Sequence, residues 1–511
     1  MSTPLTDSLA ELVSSAARRW GADVAIACGS QRLTYSQLDR AAARIAEDLS
    51  ERGLEAGDPV AVVAGTGVEF PVLAHGALRA GGVLVPISPA SPPREVAGLL
   101  RAAKVELVLC DADHEGIGRA AVALYDPGCG VIVLDAAISR SRGDTHALRK
   151  LVEGRDTPGP PPRVAAGSPA VILFTSGSTA RPKGVVHSHE GLLNNARCVA
   201  FEMAGLTRKD VMLGALPLAH SFGLSAVMNA SLLAGARLEL MPQFGAQEAW
   251  KLVLEREVTV VTGVPTMFRR LAELREASRN SDLRLGIVSG STCPRPLARD
   301  VRLRLGIEII ERYGMTEASP LTWRLVEDGT PEGDVGYPGW GVRLRVVDDR
   351  GQVTTEGTTG EVEVQAPGML LRYLAPADNR DGFRDGWLRT GDLGSLGPDG
   401  GLTLAARLKE VIIRGGFTIS AREVEAVIEQ HPAVAEAAVV GLPDDDMGED
   451  IAAMVVLKTG KKAEAADLWR FVGERLAGWK RPRRWRVVAE IPRSPLGKIR
   501  RDEIARSWGE G

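Results

Sequence analysis

The feature that most constrains this chain is a rhythm: helical stretches alternate with apolar runs too short to be helices. Over residues 33–111 it gives a helix near 36–49, a strand at 59–63, a helix at 70–79 and a strand at 83–86. A second series follows, with strands at 170–174, 211–216, 237–241, 258–262, 285–289 and 308–310. Short apolar runs separated by helices imply parallel sheets covered on both faces. Between the series, residues 156–169 read DTPGPPPRVAAGSP. That proline density suits an exposed connector joining two subdomains better than any element interior. After Glu332 the helical pattern gives way to glycine-punctuated strands at 342–348, 360–366 and 401–405, the signature of a small β subdomain. From Val411 onward a compact α+β pattern appears, with helices at 421–430 and 463–476 around strands at 434–442 and 452–457. The expected fold class is α/β: a large N-terminal domain of two helix-flanked sheets plus a small β subdomain, followed by a small α+β C-terminal domain.

Composition removes several function classes. The chain has 511 residues, 44% apolar and 25% charged, which suits two to four packed domains and is too hydrophobic for a disordered polymer. Sixty-two basic against 65 acidic residues leave a net charge of -3, so no basic field exists to hold nucleic acid. Cys28, Cys110, Cys129, Cys198 and Cys293 are odd in number and never form a CxxC pair, which argues against a disulfide framework or structural zinc and fits a reducing cytoplasm. Residues 1–20 lack a signal-peptide apolar core, and no later run approaches the ~20 residues of a membrane span. A soluble cytoplasmic protein is expected, without nucleic acid or membrane as partner.

The most informative segment is TSGSTARPKG, from Thr175 to Gly184, directly behind the apolar run VILF. Thr175, Ser176, Gly177, Ser178, Thr179 and Lys183 offer backbone and side-chain donors to phosphate oxygens, and glycine lets the backbone approach closely. This reads as a polyphosphate cradle, although a plain flexible polar loop has the same composition. A Walker A loop requires GxxxxGK(S/T), whereas here Pro182 precedes Lys183 and Gly184 follows it.

At this segment the chain resembles the adenylate-forming superfamily of acyl-CoA synthetases, aryl-CoA ligases, carrier-protein-loading adenylation domains and luciferases. The superfamily's phosphate loop reads (S/T)SG(S/T)TGxPKG, and the one departure is Ala180, where glycine is usual. Further motifs follow in the superfamily's order. Tyr313-Gly314-Met315-Thr316-Glu317 matches YGxTE, which implies an aromatic near adenine, Thr316 and Glu317 near the phosphates, and Glu317 as ligand to Mg2+. A carboxylate is the hard oxygen donor this ion takes. Within WLRTGDL, Asp392 is implied to accept hydrogen bonds from the ribose hydroxyls; Arg407 matches the second ribose contact, preceded by Ala406 in place of the usual glycine. PRSPLGK matches the loop carrying the catalytic lysine, here Lys498. Ser289, Gly290 and Ser291 resemble the segment between acyl pocket and adenine, and His220 a position beside the substrate carboxylate. The resemblance also implies domain limits: an N-terminal core over residues 1–407, a hinge at Leu408 and Lys409, and a mobile C-terminal domain over residues 410–511.

Where amino-acid-activating relatives carry an aspartate just after the region of His220, this chain reads HSFGLSAVMNAS. Burying an unpaired ammonium would cost several kcal/mol, so an α-amino acid is excluded. The expected acid is uncharged beyond its carboxylate, an aryl, alicyclic or acyl group in a pocket lined by His220, Phe222, Gly223, Leu224, Val264, Gly290 and Met315. For the second half-reaction, the resemblance implies a rotation that withdraws Lys498 and brings forward Gly415 and Gly416, beside which a pantetheine thiol would reach the adenylate. The expected activity is an ATP-dependent acid–thiol ligase using ATP, Mg2+ and coenzyme A. The alternatives are a freestanding enzyme loading a carrier protein and, in another class, a luciferase-like oxygenase.

Overall fold

A computed structural model describes residues 6–135, 145–153, 158–175, 182–275, 277, 282–331, 333–408, 411–414, 417–444, 447–476, 478–494 and 499–508. The chain divides into two compact units, one of residues 1–343 and 364–388, the other of residues 344–363 and 389–511.

The first unit holds two large sheets. One has nine strands in the order Tyr337–Pro338, Ala318–Leu325, Glu308–Met315, Leu285–Val288, Val260–Gly263, Val211–Gly214, Arg237–Leu240, Val24–Cys28 and Gln31–Thr34. Its six central strands are parallel, and antiparallel hairpins close both edges. The other has eight strands in the order Arg372–Tyr373, Lys183–Ser188, Pro169–Thr175, Val83–Ile87, Pro59–Val63, Leu107–Asp111, Gly130–Asp135 and Thr145–Ala147. Helix-flanked sheets are therefore as expected, but the connector does not separate them. The strand after it, Pro169–Thr175, joins the sheet of the first series through Leu84 opposite Val171, while Val24–Cys28 joins the second. The proline-rich segment marks a crossover within one unit; pairing decided sheet membership, which local sequence does not encode.

Local signals place the helices. Thr34 caps Tyr35–Glu51 in a reciprocal capping box with Gln37, and Ser8 caps Leu9–Trp20. Tyr35 is fully buried and donates its hydroxyl to the Ala236 carbonyl at 2.9 Å, tying that helix to the nine-stranded sheet. The largest apolar cluster draws on both sheets and on these helices.

The second unit contains a small β layer with strand Leu402–Arg407 paired to Trp387–Leu396, whose first two residues belong to the first unit. Beyond it, Phe417–Ser420, Val411–Arg414, Gly448–Leu457 and Val434–Asp444 order into a sheet, with Arg484–Val488 also paired to Gly448–Leu457. Helices Ala421–Glu429 and Ala465–Gly473 bury Val424, Ile428, Leu468 and Val472 in its core.

Candidate active site

Four parallel strands of the nine-stranded sheet lead, at their carboxyl ends, into the segments singled out by sequence. Val211–Gly214 precedes His220 and Phe222, Val260–Gly263 precedes Val264, Leu285–Val288 precedes Ser289 to Ser291, and Glu308–Met315 ends in the YGMTE segment. Carboxyl ends of parallel strands are where open α/β sheets take ligands.

The backbone there depends on glycine at two points. Gly290 has φ +90°, a left-handed conformation, between the buried Ser289 and the exposed Ser291. At Gly314 an added Cβ would lie 2.8 Å from Ser319 Oγ and 3.1 Å from Ser319 Cα, so a side chain would force the hairpin apart. Thr316 and Glu317 form the two-residue turn of that hairpin, with Met315 opposite Ala318.

Glu317 is buried and held from several sides. Tyr373 donates its hydroxyl to Glu317 Oε1 at 3.1 Å, and the Glu317 carbonyl accepts from the Leu370 amide at 2.7 Å. Burial and the adjacent Glu317 carboxylate push the Tyr373 phenol far above its ordinary pKa, so it stays a donor. Asn379 fixes Tyr373 by accepting from its amide at 2.8 Å and donating to its carbonyl at 3.0 Å. His187 lies 2.8 Å from the Thr316 carbonyl through Nε2; burial lowers its pKa to about 4, so the ring is neutral and Nε2–H donates.

Lys183 begins the strand after the expected phosphate loop and lies opposite Thr175. Its Nζ lies 3.1 Å from Asp378 and 5.2 Å from the centre of the Tyr373 ring. Tyr373 thus joins Lys183 to Glu317. Ser176, Gly177, Ser178 and Thr179 lie outside the described residues, as does Ala180.

The expected acyl pocket residues are distributed unevenly. Phe222 and Val264 are half-buried, as is Met315 at the end of its strand. Leu224 is 1% exposed in the main core, and an added Cβ on buried Gly223 would strike the Pro217 carbonyl oxygen. Phe222 opens a π-helical run, Phe222–Asn229, a distortion often found at functional positions. His220 is half-buried just before it, its carbonyl accepting from the Leu224 amide at 2.8 Å.

In the second unit, Asp392 and Arg407 are cross-strand partners, and Arg407 Nε lies 2.9 Å from Asp392 Oδ1. Leu408 is 41% exposed. Lys409, Gly415, Gly416 and Lys498 lie outside the described residues. The flanking Arg414 is buried against Asp450 at 3.2 Å. Residues 480–486 read KRPRRWR, a local basic run, and several of its cations have partners: Lys480 pairs with Glu423, Arg481 donates to the Leu476 carbonyl, and Arg486 lies over the Trp508 ring.

The sequence reading missed Tyr373, Asp378, His187 and Arg312. The first three contact the motifs from distant positions and carry no local signature. Arg312 had one: it immediately precedes Tyr313 on an inward-facing position of a central strand, where a cation is anomalous. Among the described residues no cluster of three or more His, Cys, Asp or Glu could hold a metal ion, and no helix is long and apolar enough to cross a membrane.

The AMP-binding enzyme family matches residues 13–374, and the AMP-binding enzyme C-terminal domain matches residues 423–498. The chain belongs to this family, in the adenylate-forming superfamily. It is 32% identical to the sulfoacetate–CoA ligase of Cupriavidus necator over 501 residues, 97% of each chain. It is 33% identical to the long-chain-fatty-acid–CoA ligase FadD13 of Mycobacterium tuberculosis over 485 residues, 92% of each. ATP-bound MatB from Rhodopseudomonas palustris superposes with a TM-score of 0.88 at 30% identity, covering 98% of this chain and 99% of that one.

Proposed function

We propose that this protein is an ATP-dependent acid–CoA ligase that works through an acyl adenylate. The acid's carboxylate oxygen attacks the α-phosphorus of ATP, the bond to the β-phosphate oxygen breaks, and pyrophosphate leaves. The CoA thiolate then attacks the acyl carbon, and AMP departs as the thioester forms. The observation that carries this reading is the Glu317–Tyr373–Lys183 arrangement at the carboxyl end of a parallel strand, immediately beside the phosphate-loop hairpin. The relatives support CoA as acceptor over a carrier protein or dioxygen, since two of them are CoA ligases by name.

The residues present fit Mg2+: a buried carboxylate held by a phenol donor is a fixed hard-oxygen ligand, and this ion takes only one or two protein carboxylates. Glu317 would hold it, and the ion would supply charge neutralisation on the phosphates. Lys183 leaves Asp378 for the phosphate oxygens, Thr316 donates to them, and Tyr313 packs against adenine. Thr175 and Ser176 to Thr179 supply the remaining phosphate donors, and Ser289 to Ser291 border the nucleotide. Asp392 and Arg407 take the ribose, and His220 orients the substrate carboxylate. His220 acts as a donor, because a carboxylate is already ionised at pH 7.

Residues 1–407 form the adenylating core, Leu408 and Lys409 the hinge, and residues 410–511 the domain that carries Lys498 for the first step and Gly415 and Gly416 for the second. Scattered cysteines and apolar runs short of a span support a cytoplasmic setting. The relatives leave the acid open, since one is named for sulfoacetate and another for long-chain fatty acids. Lys498→Ala tests the division of labour. Acid-dependent pyrophosphate exchange should fall roughly 10²- to 10³-fold, as for loss of one preorganised charge-stabilising group. Thioester formation from supplied acyl adenylate should persist; equal loss of both steps would refute the scheme.

A further inference from the structure

Arg312 is a buried cation incompletely satisfied among the described residues. It lies on Glu308–Met315, directly before Tyr313, and is 6% exposed. Strand alternation sets it on the face of Ile310, a member of the main apolar core. The neighbouring carboxylate, Glu311, points the other way, where it takes Arg295 at 2.6 Å and the Cys293 amide at 2.8 Å. Arg312 donates from Nη2 to Ser319 Oγ, but its Nε and Nη1 are buried with no acceptor among the described residues. The Phe222 ring lies over the guanidinium, 4.5 Å from carbon to ring centre.

Among the described residues no carboxylate is paired with Arg312. The nearby Cys198 thiol is pushed up to about 12, chiefly by burial, and is neutral at pH 7. Burial lowers Arg312 only to about 10, so it stays cationic. A buried charge with open donors destabilises the fold, a cost relieved when an anion arrives with a ligand. Two contacts locate where that anion would come from. Phe222 opens the run after His220, and Ser289, which donates to the Arg312 carbonyl at 3.3 Å, follows Leu285–Val288; both border the candidate acyl site.

We infer that Arg312 recognises a second anionic group on the substrate, a carboxylate or sulfonate at the end remote from the reacting carboxylate, with the Phe222 ring covering the guanidinium until the acid enters. The inference rests on the ligase reading and revises the expectation of an acid uncharged beyond its carboxylate. A guanidinium offers a planar fork matched to either group.

The test is pyrophosphate exchange and CoA thioester formation by the full-length protein, with acids of matched length. Malonate, succinate and sulfoacetate would be set against butanoate and pentanoate, the dicarboxylates and the sulfonate separating the two anion types. The wild type should favour at least one doubly anionic acid by about 100-fold or more in kcat/KM, since a site built around a buried polar group rejects analogues that leave it unpaired. Arg312→Met should erase that preference mainly through KM for the acid, leaving KM for ATP and turnover of neutral acids near wild type. Arg312→Lys should restore part of it. Equal use of neutral acids by the wild type, or an equal loss of both acid classes in a folded Arg312→Met protein, would overturn the inference while leaving the ligase reading intact. Absence of any acid-dependent exchange would instead remove the ligase reading itself. The wild-type ratio decides the matter even if the methionine variant does not fold.

Discussion

At the scale of single residues, the site is a set of short tethers on one turn. Glu317 is held by the Tyr373 hydroxyl at 3.1 Å, and the Thr316 carbonyl by His187 at 2.8 Å. A hydrogen bond to a charged group contributes roughly 1.5 to 3 kcal/mol. Tyr373→Phe should therefore lower kcat/KM for ATP by about 10-fold or more with little change in KM for the acid. A titration of rate against free Mg2+ would read the same loss as a higher concentration requirement; an unchanged titration would deny Tyr373 this role. Gly314→Ala tests the backbone instead. Its Cβ meets Ser319 backbone as well as side chain, so the hairpin must shift, at about 1 to 3 kcal/mol typical of overpacking. A lower urea midpoint together with weaker ATP binding is expected, and an unaltered midpoint would show that the hairpin absorbs a methyl freely.

Among elements, the hairpin of Val411–Arg414 and Phe417–Ser420 shows how a charge can serve packing. Arg414 is 2% exposed, ion-paired with buried Asp450, and donates from Nη1 to the Trp479 carbonyl at 2.9 Å. The Arg414–Asp450 contact is charge against charge rather than an aligned hydrogen bond, since among the described residues neither Arg414 Nε nor Asp450 Oδ1 has a hydrogen-bond partner. Removing one member strands the other in the interior. Asp450→Ala should cost about 3 to 5 kcal/mol, whereas Arg414→Met with Asp450→Leu should cost much less. Chemical denaturation of both variants checks this, and equal destabilisation would mean that the pair itself, not the stranded charge, matters. That Arg414 is interior is not legible in the sequence, where it stands directly before two glycines.

For the whole molecule, three buried histidines link stability to pH. Burial lowers His75, His187 and His189 to about 4, against an ordinary value near 6.5. Above pH 6.5 both folded and unfolded chains hold them neutral, and the folded state suffers nothing. Below it the unfolded chain binds protons that the folded chain refuses, so stability falls by about 1.4 kcal/mol per pH unit per histidine until about pH 4. Thermal melts should show a decline from pH 6.5 toward 4, and His75→Gln should make it shallower; an identical slope in the variant would exclude His75 from the effect.

What the sequence determined by itself is local or ordered along the chain. Strand and helix periodicity, the α/β class and the order of the superfamily motifs all arise from neighbouring residues, and each could be read before any contact was known. Two further properties were decided only by tertiary structure. Sheet membership was one, since Val24–Cys28 pairs with Arg237–Leu240 and Pro169–Thr175 with Val83–Ile87, by hydrogen bonds between segments remote in sequence. The environment of each charge was the other: Tyr373 reached Glu317, Asp378 reached Lys183, and Arg312 was left under Phe222 with Nε and Nη1 unpartnered among the described residues. The physical reason is common to both. Propensity and periodicity act over a few residues, whereas desolvation and the identity of a buried charge's partner depend on what the fold brings within about 4 Å.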